Sequence, residues 1–259
     1  MNLKIIDSHS HIQFPEYDLD RAEVIQRAFD SQIGIITAGA DLESSVKAVD
    51  LANQYENGIW SAVGVHPTEE YEDDVFDKIT QLADNDKVVA IGECGLDFYR
   101  DKEKKTKENQ IELFEKHILL SKQINKPLVI HCRKAFLEIL EVLNKNKANL
   151  LKKPGILHFF TGNLNDAKVL LDYNFSFTFG GLITYDRSFD EIIKFIPLEN
   201  ILVETDAPFV SPASHRKERN EPSYIPEVIL SIASIKNLDQ KTVSETILLN
   251  TKKLFSLVF

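Results

Sequence analysis

The chain has 259 residues, a mass of 29.5 kDa, a formal net charge of −10 and a pI near 5.2. Its hydrophobic content of 43% is sufficient for a sizeable core and excludes wholesale disorder. The net negative charge excludes a broad basic surface of the kind that binds duplex nucleic acid by counterion release. It does not exclude an anionic substrate, because bound divalent cations can make the local electrostatic potential positive.

The cysteines and the N-terminal residues indicate the compartment. Cys94 and Cys132 form neither a CxxC pair nor a disulfide framework, which is typical of a reducing environment. The opening residues MNLKIIDSHS contain no apolar segment long enough for a signal peptide, and no stretch approaches the roughly 20 apolar residues of a membrane span. We therefore expect a cytoplasmic protein without a membrane partner, and no feature indicates an obligate protein partner.

Eight short apolar runs, each about as long as a buried strand, recur along the chain. They occupy residues 3–7, 33–39, 59–65, 88–92, 127–131, 155–160, 175–181 and 201–206. Near-continuous hydrophobicity is what parallel strands require when both of their faces are covered.

Amphipathic segments between and after these runs predict helices, with clear examples at residues 19–32, 42–55, 135–150, 225–237 and 239–258. Strands at a spacing of about 30 residues, each followed by a helix, predict an α/β fold of the (β/α)8 TIM-barrel type. No proline- or glycine-rich linker divides the chain, so we expect a single domain over residues 1–259. An open, doubly wound sheet is the competing architecture.

Histidines and carboxylates gather at or just past the carboxyl ends of the predicted strands: His9, His11, His66, Glu93, His131, His158 and Asp206. In a barrel these strand ends form one rim, which is where catalytic groups gather. His9 and His11 are two residues apart in an extended segment, so both should point toward the barrel axis. An isolated His-x-His is typical of a solvated loop, but the additional groups on the same rim favour a metal site. Imidazole with carboxylate suits zinc, manganese, iron or nickel, and carboxylates alone suit magnesium.

Seven motifs carry a resemblance to a known family: DSHSH, GVHP, IGECGLDFYR, PLVIHCR, HFFTG, VETDAPFVSP and RNEP, in that order. The chain resembles the TatD family of metal-dependent hydrolases, a (β/α)8 branch of the amidohydrolase-like superfamily, from Asp7 to the C-terminal NTKKLF. The resemblance implies a divalent-metal-dependent hydrolase. Most members are reported as magnesium-dependent deoxyribonucleases, often 3′-to-5′ exonucleases.

The resemblance also implies a role for each proposed ligand. His9 and His11 would hold one metal, Glu93 would bridge two metals, and His131 and His158 would complete the second site. The expected cofactor is therefore a pair of divalent ions, Mg²⁺ first, with Zn²⁺, Mn²⁺ or Ni²⁺ as alternatives.

The catalytic candidates are Asp206 and Glu93, because the resemblance implies that Asp206 coordinates a metal and holds or deprotonates the attacking water. The chain departs from the family pattern at Gln13, where an Asp is common, and in HFFTG, where Phe159 and Thr161 replace Cys and Ser. None of these departures removes a proposed ligand. They alter the polarity of the pocket and so bear on substrate preference.

A small basic rim is expected to hold the scissile phosphate. The candidates are Arg133, after the fifth strand, and Arg216, Lys217 and Arg219, in the loop after the last strand. His66 is a candidate donor to a phosphate oxygen. The expected substrate is DNA with single-stranded or frayed ends, because the overall negative charge keeps long duplex away.

Four further polar residues near the rim admit two interpretations each. Asp7 either orients a ligand histidine or simply ends its strand. Asp97 and Arg100 either reach the substrate or form an ion pair within a loop. Glu204 shares the face of Asp206, and a supporting role near the metals is favoured because a buried carboxylate needs a partner.

Three residues are expected to have no role in the chemistry. Cys94 and Cys132 each follow a proposed ligand, so alternation along a strand should turn them toward the helices as small core residues. His117 lies in a segment with the character of a surface helix.

Two rival functions remain open from the residues alone. A metal-dependent hydrolase of an amide, a lactone or a D-aminoacyl-tRNA ester would use a similar centre, but many such relatives bridge their metals with a carboxylated lysine. Glu93 stands at that position here, which favours a phosphodiesterase. A non-catalytic binding module would have no need for a complete ligand set.

Overall fold

Eight strands form one parallel sheet in the computed structural model, which describes residues 2–70, 72–100 and 107–259. They are β1 Ile5–Ser10, β2 Ile33–Ala38, β3 Ile59–Val63, β4 Val88–Asp97, β5 Leu128–Arg133, β6 Gly155–Leu157, β7 Ser176–Phe179 and β8 Ile201–Val203. Each strand pairs in parallel with the next along the chain. All eight predicted strands are therefore confirmed, and the open, doubly wound alternative is wrong because that fold does not pair its strands in sequence order.

The first and last strands meet through backbone hydrogen bonds just beyond β8. The N–H of Asp206 donates to the carbonyl of His9 at 3.0 Å, and the N–H of His11 donates to the carbonyl of Ala207 at 2.7 Å. These bonds bring the two edges of the sheet together into a nearly closed (β/α)8 TIM barrel. The predicted fold class is confirmed.

Helices connect the strands and cover the outer face of the sheet. Within the described ranges they are α1 Arg21–Asp30, α2 Leu42–Asn53, α3 Asp73–Leu82, α4 Lys107–Ile124, α5 Phe136–Lys145, α6 Leu164–Asp172, α7 Asp190–Phe195, α8 Ile225–Lys236 and α9 Gln240–Phe255. The five helices predicted from amphipathic segments correspond to α1, α2, α5, α8 and α9. Across the described residues, the helices lack the combination of length and apolar character that a membrane span needs.

Two apolar clusters separate the inside of the barrel from its outer layer. The smaller cluster takes residues from most of the strands, including Ile6, Ala90 and Leu202, so it occupies the barrel interior, and Leu254 and Phe255 of α9 also belong to it. The larger cluster joins the other face of the strands to the helices. Because both faces of the strands are covered, β1 to β4 are buried along their whole length.

Irregular pairing in two strands turns the proposed ligands toward the barrel axis. Ile6 and Ala90 face the interior, and simple alternation would point His9 and Glu93 the opposite way. The pairing register shifts between Asp7 and Ser10 in β1 and between Ile91 and Cys94 in β4. Bulges of this kind re-aim side chains near active sites.

Two strands extend further than predicted, into the segments that carry the proposed metal ligands. His9 lies within β1 and Glu93 within β4, which continues to Asp97, although both residues were predicted to follow their strands. The backbone ladder continues past the apolar run because pairing depends on main-chain groups and not on the polarity of the side chains.

The interpretation of His117 as a surface residue is wrong. The imidazole is fully buried on α4; its Nδ1–H donates to the carbonyl of Leu113 at 2.8 Å, and its Nε2 accepts the N–H of Val65 at 3.0 Å. The side chain therefore anchors the segment between β3 and α3, one residue before His66. Charged neighbours on α4 concealed this buried position in the sequence.

Candidate metal centre

His9 and His11 form the first half of the centre, at the carboxyl end of β1. Their Nε2 atoms lie 3.1 Å apart, and both side chains are buried. The Nδ1–H of His11 donates to the carbonyl of Ala38 at 2.7 Å, so in the neutral ring Nε2 is the nitrogen that can bind a metal. Two imidazole nitrogens that face each other at this distance can both bind a cation placed between them, so this arrangement is typical of a metal site.

Asp206 joins this pair from the segment after β8. Its Oδ1 lies 3.6 Å from Nε2 of His9 and 3.5 Å from Nε2 of His11. The backbone of Asp206 is in the left-handed region, with φ of 54°, a conformation that Asp adopts more readily than most residues. This conformation, with the N–H bonded to the carbonyl of His9, turns the carboxylate toward the two imidazoles.

Glu93 presents one carboxylate oxygen to each half of the centre. Its Oε2 lies 3.7 Å from Nε2 of His9 and 3.6 Å from Nε2 of His11. Its Oε1 lies 2.9 Å from both His131 Nδ1 and His158 Nε2. The carboxylate thus stands between two pairs of imidazoles, as a bridging ligand would.

Close packing of β4 on β5 brings the second half together. Gly95 has φ of 131°, and a Cβ at this position would lie 2.1 Å from the carbonyl oxygen of His131, so only glycine fits. His131 Nδ1 and His158 Nε2 lie 3.2 Å apart, and Nε2 of His66 lies 3.5 Å from Oε1 of Glu93. His66 therefore sits at the edge of this half.

The donor set fits divalent metal ions. Ligand atoms bound at about 2.0–2.2 Å in tetrahedral or octahedral geometry lie roughly 2.8–3.6 Å from one another. The separations among the proposed ligands run from 2.9 to 3.7 Å, close to that range. Within the described part of the chain, three groups of mutually close ligand atoms lie at this point: His9 with His11 and Asp206, His9 with Glu93 and His158, and His66 with Asp97 and His131.

The pKa values of these groups describe the centre without metal ions. In that state, protons on histidines supply the positive charge that bound cations would supply. Burial opposes ionisation of Glu93, but the charge of His158 and hydrogen bonds from His131 and His158 outweigh it and hold the pKa of Glu93 well below its usual range. Burial also disfavours the charged form of His158, but Glu93 raises the pKa of that imidazole well above its usual value. Burial and the neighbouring His158 lower the pKa of His9, so His9 is neutral, as a metal ligand must be.

Asp97 orients His131 from the end of β4. Its Oδ2 accepts a hydrogen bond from Nε2 of His131 at 3.0 Å, while its Oδ1 accepts the N–H groups of Tyr99 and Arg100, each at 2.8 Å. With the proton held on Nε2, Nδ1 of His131 is free to bind a metal beside Glu93. The sequence alone admits a substrate contact or a loop ion pair for Asp97, whereas in the structure its carboxylate accepts a hydrogen bond from His131.

Two other buried carboxylates support the framework. Asp7 accepts the N–H of Thr205 at 3.0 Å and that of His9 at 3.3 Å, so it fixes the backbone of a proposed ligand and does not touch its ring. Glu204 accepts the N–H of Phe159 at 2.5 Å and lies 3.7 Å from Nδ1 of His158. Asp7 thus joins β1 to the segment after β8, and Glu204 joins that segment to the one after β6.

A cavity of about 660 Å³ opens above the centre, and its walls decide which predicted contacts have access to a substrate. His66 and Arg133 both line it, as do Phe159 and Thr161. Arg219 does not line it.

The expectation that Arg219 contacts substrate is corrected. Its guanidinium donates to the carboxylate of Asp20 at 2.6 and 2.9 Å and lies over the ring of Tyr17. These contacts hold Arg219 between the segments that precede α1 and α8. Only the folded chain brings Asp20 near Arg219, so the sequence offered no signal of this pairing.

The other residues singled out in the sequence have distinct positions. Gln13 is 3% exposed and donates to the carbonyl of Ala38 at 2.7 Å, so it packs beneath the centre and not in the cavity. Cys94 is fully buried, as expected for a core residue. Cys132 is only half-buried and lines the cavity, which corrects the expectation that it faces the helices alone. Arg216 lies over the ring of Tyr185.

Comparisons with known proteins identify the family of this chain. A family model described as TatD related DNase matches residues 6–256. The chain is 35% identical over 256 residues to an uncharacterized metal-dependent hydrolase, YabD, of Bacillus subtilis, covering 97% of this chain and 98% of the relative. It is 32% identical over 254 residues to the 3′-5′ ssDNA/RNA exonuclease TatD of Pantoea ananatis, covering 94% of this chain and 96% of that protein.

A solved structure shares the whole fold. The TatD homolog YjjV of Escherichia coli K12 superimposes with a TM-score of 0.91 at 28% identity, covering 100% of both chains. The family model spans nearly the entire barrel, including every proposed ligand. The chain therefore belongs to the TatD-related DNase family and is a metal-dependent hydrolase.

Proposed function

We propose that this protein is a two-metal phosphodiesterase that removes nucleotides from the 3′ ends of DNA, at single-stranded or frayed termini. The observation that carries the proposal is the Glu93 carboxylate, with one oxygen facing His9 and His11 and the other facing His131 and His158. A carboxylate in this position suits a pair of ions that clamp the attacking and leaving oxygens of an in-line displacement.

Unpaired arginines in the cavity support an anionic substrate. Arg21, Arg27, Arg187 and Arg219 all pair with carboxylates, and none of them lines the cavity. Arg100 and Arg133 do line it, and neither forms an ion pair with any residue that the structure describes. On a chain of net charge −10, unneutralised guanidinium groups beside a metal centre favour a phosphate ligand over a neutral amide or lactone.

The proposed division of labour follows from the contacts. Bound divalent cations would supply Lewis acidity and lower the pKa of a water molecule toward neutrality. Asp206 is the most solvent-accessible of the proposed ligands, with 17% of its side chain exposed, so we assign it the acceptance of the proton from the attacking water. Arg133 lies 4.1 Å over the ring of Tyr99, which fixes its guanidinium for contact with a phosphoryl oxygen.

His66 completes the proposed phosphate site. Its Nδ1 lies 2.7 Å from the hydroxyl of Thr68, and its Nε2 faces the cavity near Oε1 of Glu93. Burial lowers the pKa of His66 to about 3, so the ring is neutral at physiological pH. We therefore assign His66 the role of a neutral hydrogen-bonding group beside the scissile phosphate.

The experiment that tests the proposal is incubation of the purified protein with Mg²⁺, Mn²⁺ or Zn²⁺ and end-labelled single- and double-stranded DNA and RNA. We expect stepwise shortening from the 3′ end of single-stranded DNA, abolished by EDTA and by Glu93→Gln or Asp206→Asn. Glu43→Gln is the matched control, because Glu43 is an exposed residue of α2 whose carboxylate pairs only with Lys47 among the described residues. A metal-loaded protein that cleaves an amide, a lactone or a D-aminoacyl ester but no phosphodiester would overturn the proposal.

A further inference from the structure

Phe209 lies at the mouth of the cavity, three residues after Asp206. Its side chain is 42% exposed. Of the large apolar side chains that are exposed across the described ranges, only Phe209 and Val210 line the cavity. Water therefore contacts an aromatic face beside the proposed metal centre.

The loop that carries Phe209 is fixed by a buried amide. Nδ2 of Asn220, which is fully buried, donates to the carbonyls of Thr205 at 2.8 Å and Phe209 at 2.6 Å. The hydroxyl of Ser211 adds a bond to the carbonyl of Glu218 at 2.7 Å. The ring of Phe209 is thus presented from a defined backbone and not from a freely moving loop.

The same loop holds an unfavourable backbone conformation. Val210 has φ of 48°, a region that a β-branched residue rarely adopts. Such conformations persist where surrounding contacts over-determine them, and they are concentrated at ligand sites. Retention of this conformation next to an exposed aromatic ring indicates that the position of Phe209 has a use other than packing.

The cavity has chemically different walls on its two sides. The ring of Phe209 lies 6.2 Å from that of His11, and Phe14 stacks on His11 at 4.6 Å. This aromatic side belongs to the loops after β8 and β1. Arg100 and Arg133 line the side formed after β4 and β5, which is opposite in an eight-stranded barrel with strands in sequence order. A ligand that spans the cavity therefore needs a flat apolar part at one end and a negative charge at the other.

We propose that Phe209 stacks on the base of the 3′-terminal nucleotide, while Arg133 on the opposite wall binds a backbone phosphate. This inference rests on the proposed function and names the part of the substrate that each wall recognises. An aromatic face stacks on any base, so recognition is independent of sequence. A base paired within a duplex is not available to Phe209, so the same contact restricts the enzyme to unpaired ends.

The test measures binding of short oligodeoxythymidylates that carry a 5′ fluorescein and end in either an intact or an abasic 3′ nucleotide. Fluorescence anisotropy is recorded with the Ca²⁺-loaded protein, for the wild type, Phe209→Ala and Phe209→Tyr. Phe195→Ala is the matched control, because Phe195 is 46% exposed on α7 and does not line the cavity. An oligonucleotide that is abasic at its 5′ nucleotide controls for loss of a base elsewhere.

We expect Phe209→Ala to weaken binding of the intact oligonucleotide by roughly 5- to 140-fold, the effect of removing one aromatic stacking partner. Phe209→Tyr should retain wild-type affinity, and Phe209→Ala should bind the 3′-abasic oligonucleotide as the wild type does. Equal weakening for the intact and 3′-abasic ligands would mean that the substitution damages the loop and would overturn the inference. Unchanged affinity for both would overturn it as well.

The experiments distinguish a failure of the proposed function from a failure of this inference. If the wild type cleaves single-stranded DNA and Phe209→Ala binds it normally, only the stacking role of Phe209 is wrong. If the wild type neither binds nor cleaves single-stranded DNA with any of the metals, the proposed function is wrong and the role of Phe209 with it.

Discussion

The contact between Asp97 and His131 gives a sharp prediction about metal affinity. Asp97→Asn changes one oxygen to an NH₂ group and leaves the volume almost unchanged. The amide oxygen must remain at the position of Oδ1, because the N–H groups of Tyr99 and Arg100 donate there, each at 2.8 Å. The new NH₂ group then faces Nε2 of His131, where the carboxylate oxygen had accepted a hydrogen bond at 3.0 Å.

This substitution reverses the tautomer of His131. An NH₂ group can only donate, so Nε2 becomes the acceptor and the proton of the neutral ring moves to Nδ1. Nδ1 is the atom that lies 2.9 Å from Oε1 of Glu93, and a protonated nitrogen cannot bind a metal. Loss of such a supporting carboxylate lowers metal affinity by about 10- to 100-fold, or roughly 1.4–2.7 kcal/mol.

Competition against a fluorescent chelator with Zn²⁺ or Mn²⁺ at pH 7.5 measures the affinity directly. Asp186→Asn is the control, since Asp186 accepts the N–H of Ser188 at 2.9 Å in a similar turn but contacts no histidine among the described residues. We expect wild-type affinity in the control and weaker binding of one ion in Asp97→Asn. Wild-type affinity in Asp97→Asn, with the fold intact by circular dichroism, would refute the role of Nδ1 as a ligand.

Four more predictions test the site and its surroundings. Arg133→Gln should weaken binding of single-stranded DNA for all sequences and reduce the slope of log K against log salt by about 0.7, whereas Arg187→Gln, outside the cavity, should change neither. Metal binding should release protons and strengthen as pH rises from 6 to 8, because hydrogen bonds to Asp97 and Glu93 raise the pKa of His131 and Glu93 raises that of His158, in both cases against the effect of burial; calorimetry in buffers of different ionisation enthalpy measures this release. Asn220→Ala should lower the free energy of unfolding by about 1–3 kcal/mol in urea titrations, because several buried carbonyls lose their donor. Burial raises the pKa of the Cys132 thiol, so iodoacetamide at pH 8 should leave it unmodified in the native protein, and intact mass spectrometry would show rapid alkylation if this were wrong.

Most of the fold could be predicted because its determinants are local. Each strand is a short apolar run and each of the five predicted helices has an apolar stripe, so periodicity alone located them. The sequential order of the strands followed from the regular alternation of strands and helices. The ends of β4 and β6 could not be located in this way, because main-chain pairing continues or stops without regard to side-chain polarity.

The site was predictable to the extent that parallel strands bring their carboxyl ends together. That rule placed the ligand candidates on one rim, although the bulges in β1 and β4 that aim His9 and Glu93 inward left no pattern in the sequence. Pairings between distant segments were also invisible. Arg219 was expected at the substrate because it is a cation in the right loop, but Asp20 lies beside it in the folded chain.

The join between the first and last strands has a consequence for biosynthesis. The carbonyl of His9 accepts the N–H of Asp206, and the side chains of these two residues face each other at 3.6 Å in the proposed metal centre. A nascent polypeptide that has not yet left the ribosome beyond residue 206 has the early histidines without their acidic counterpart. Assembly of the proposed metal centre must therefore await nearly complete translation, and products of premature termination would lack one of its proposed ligands.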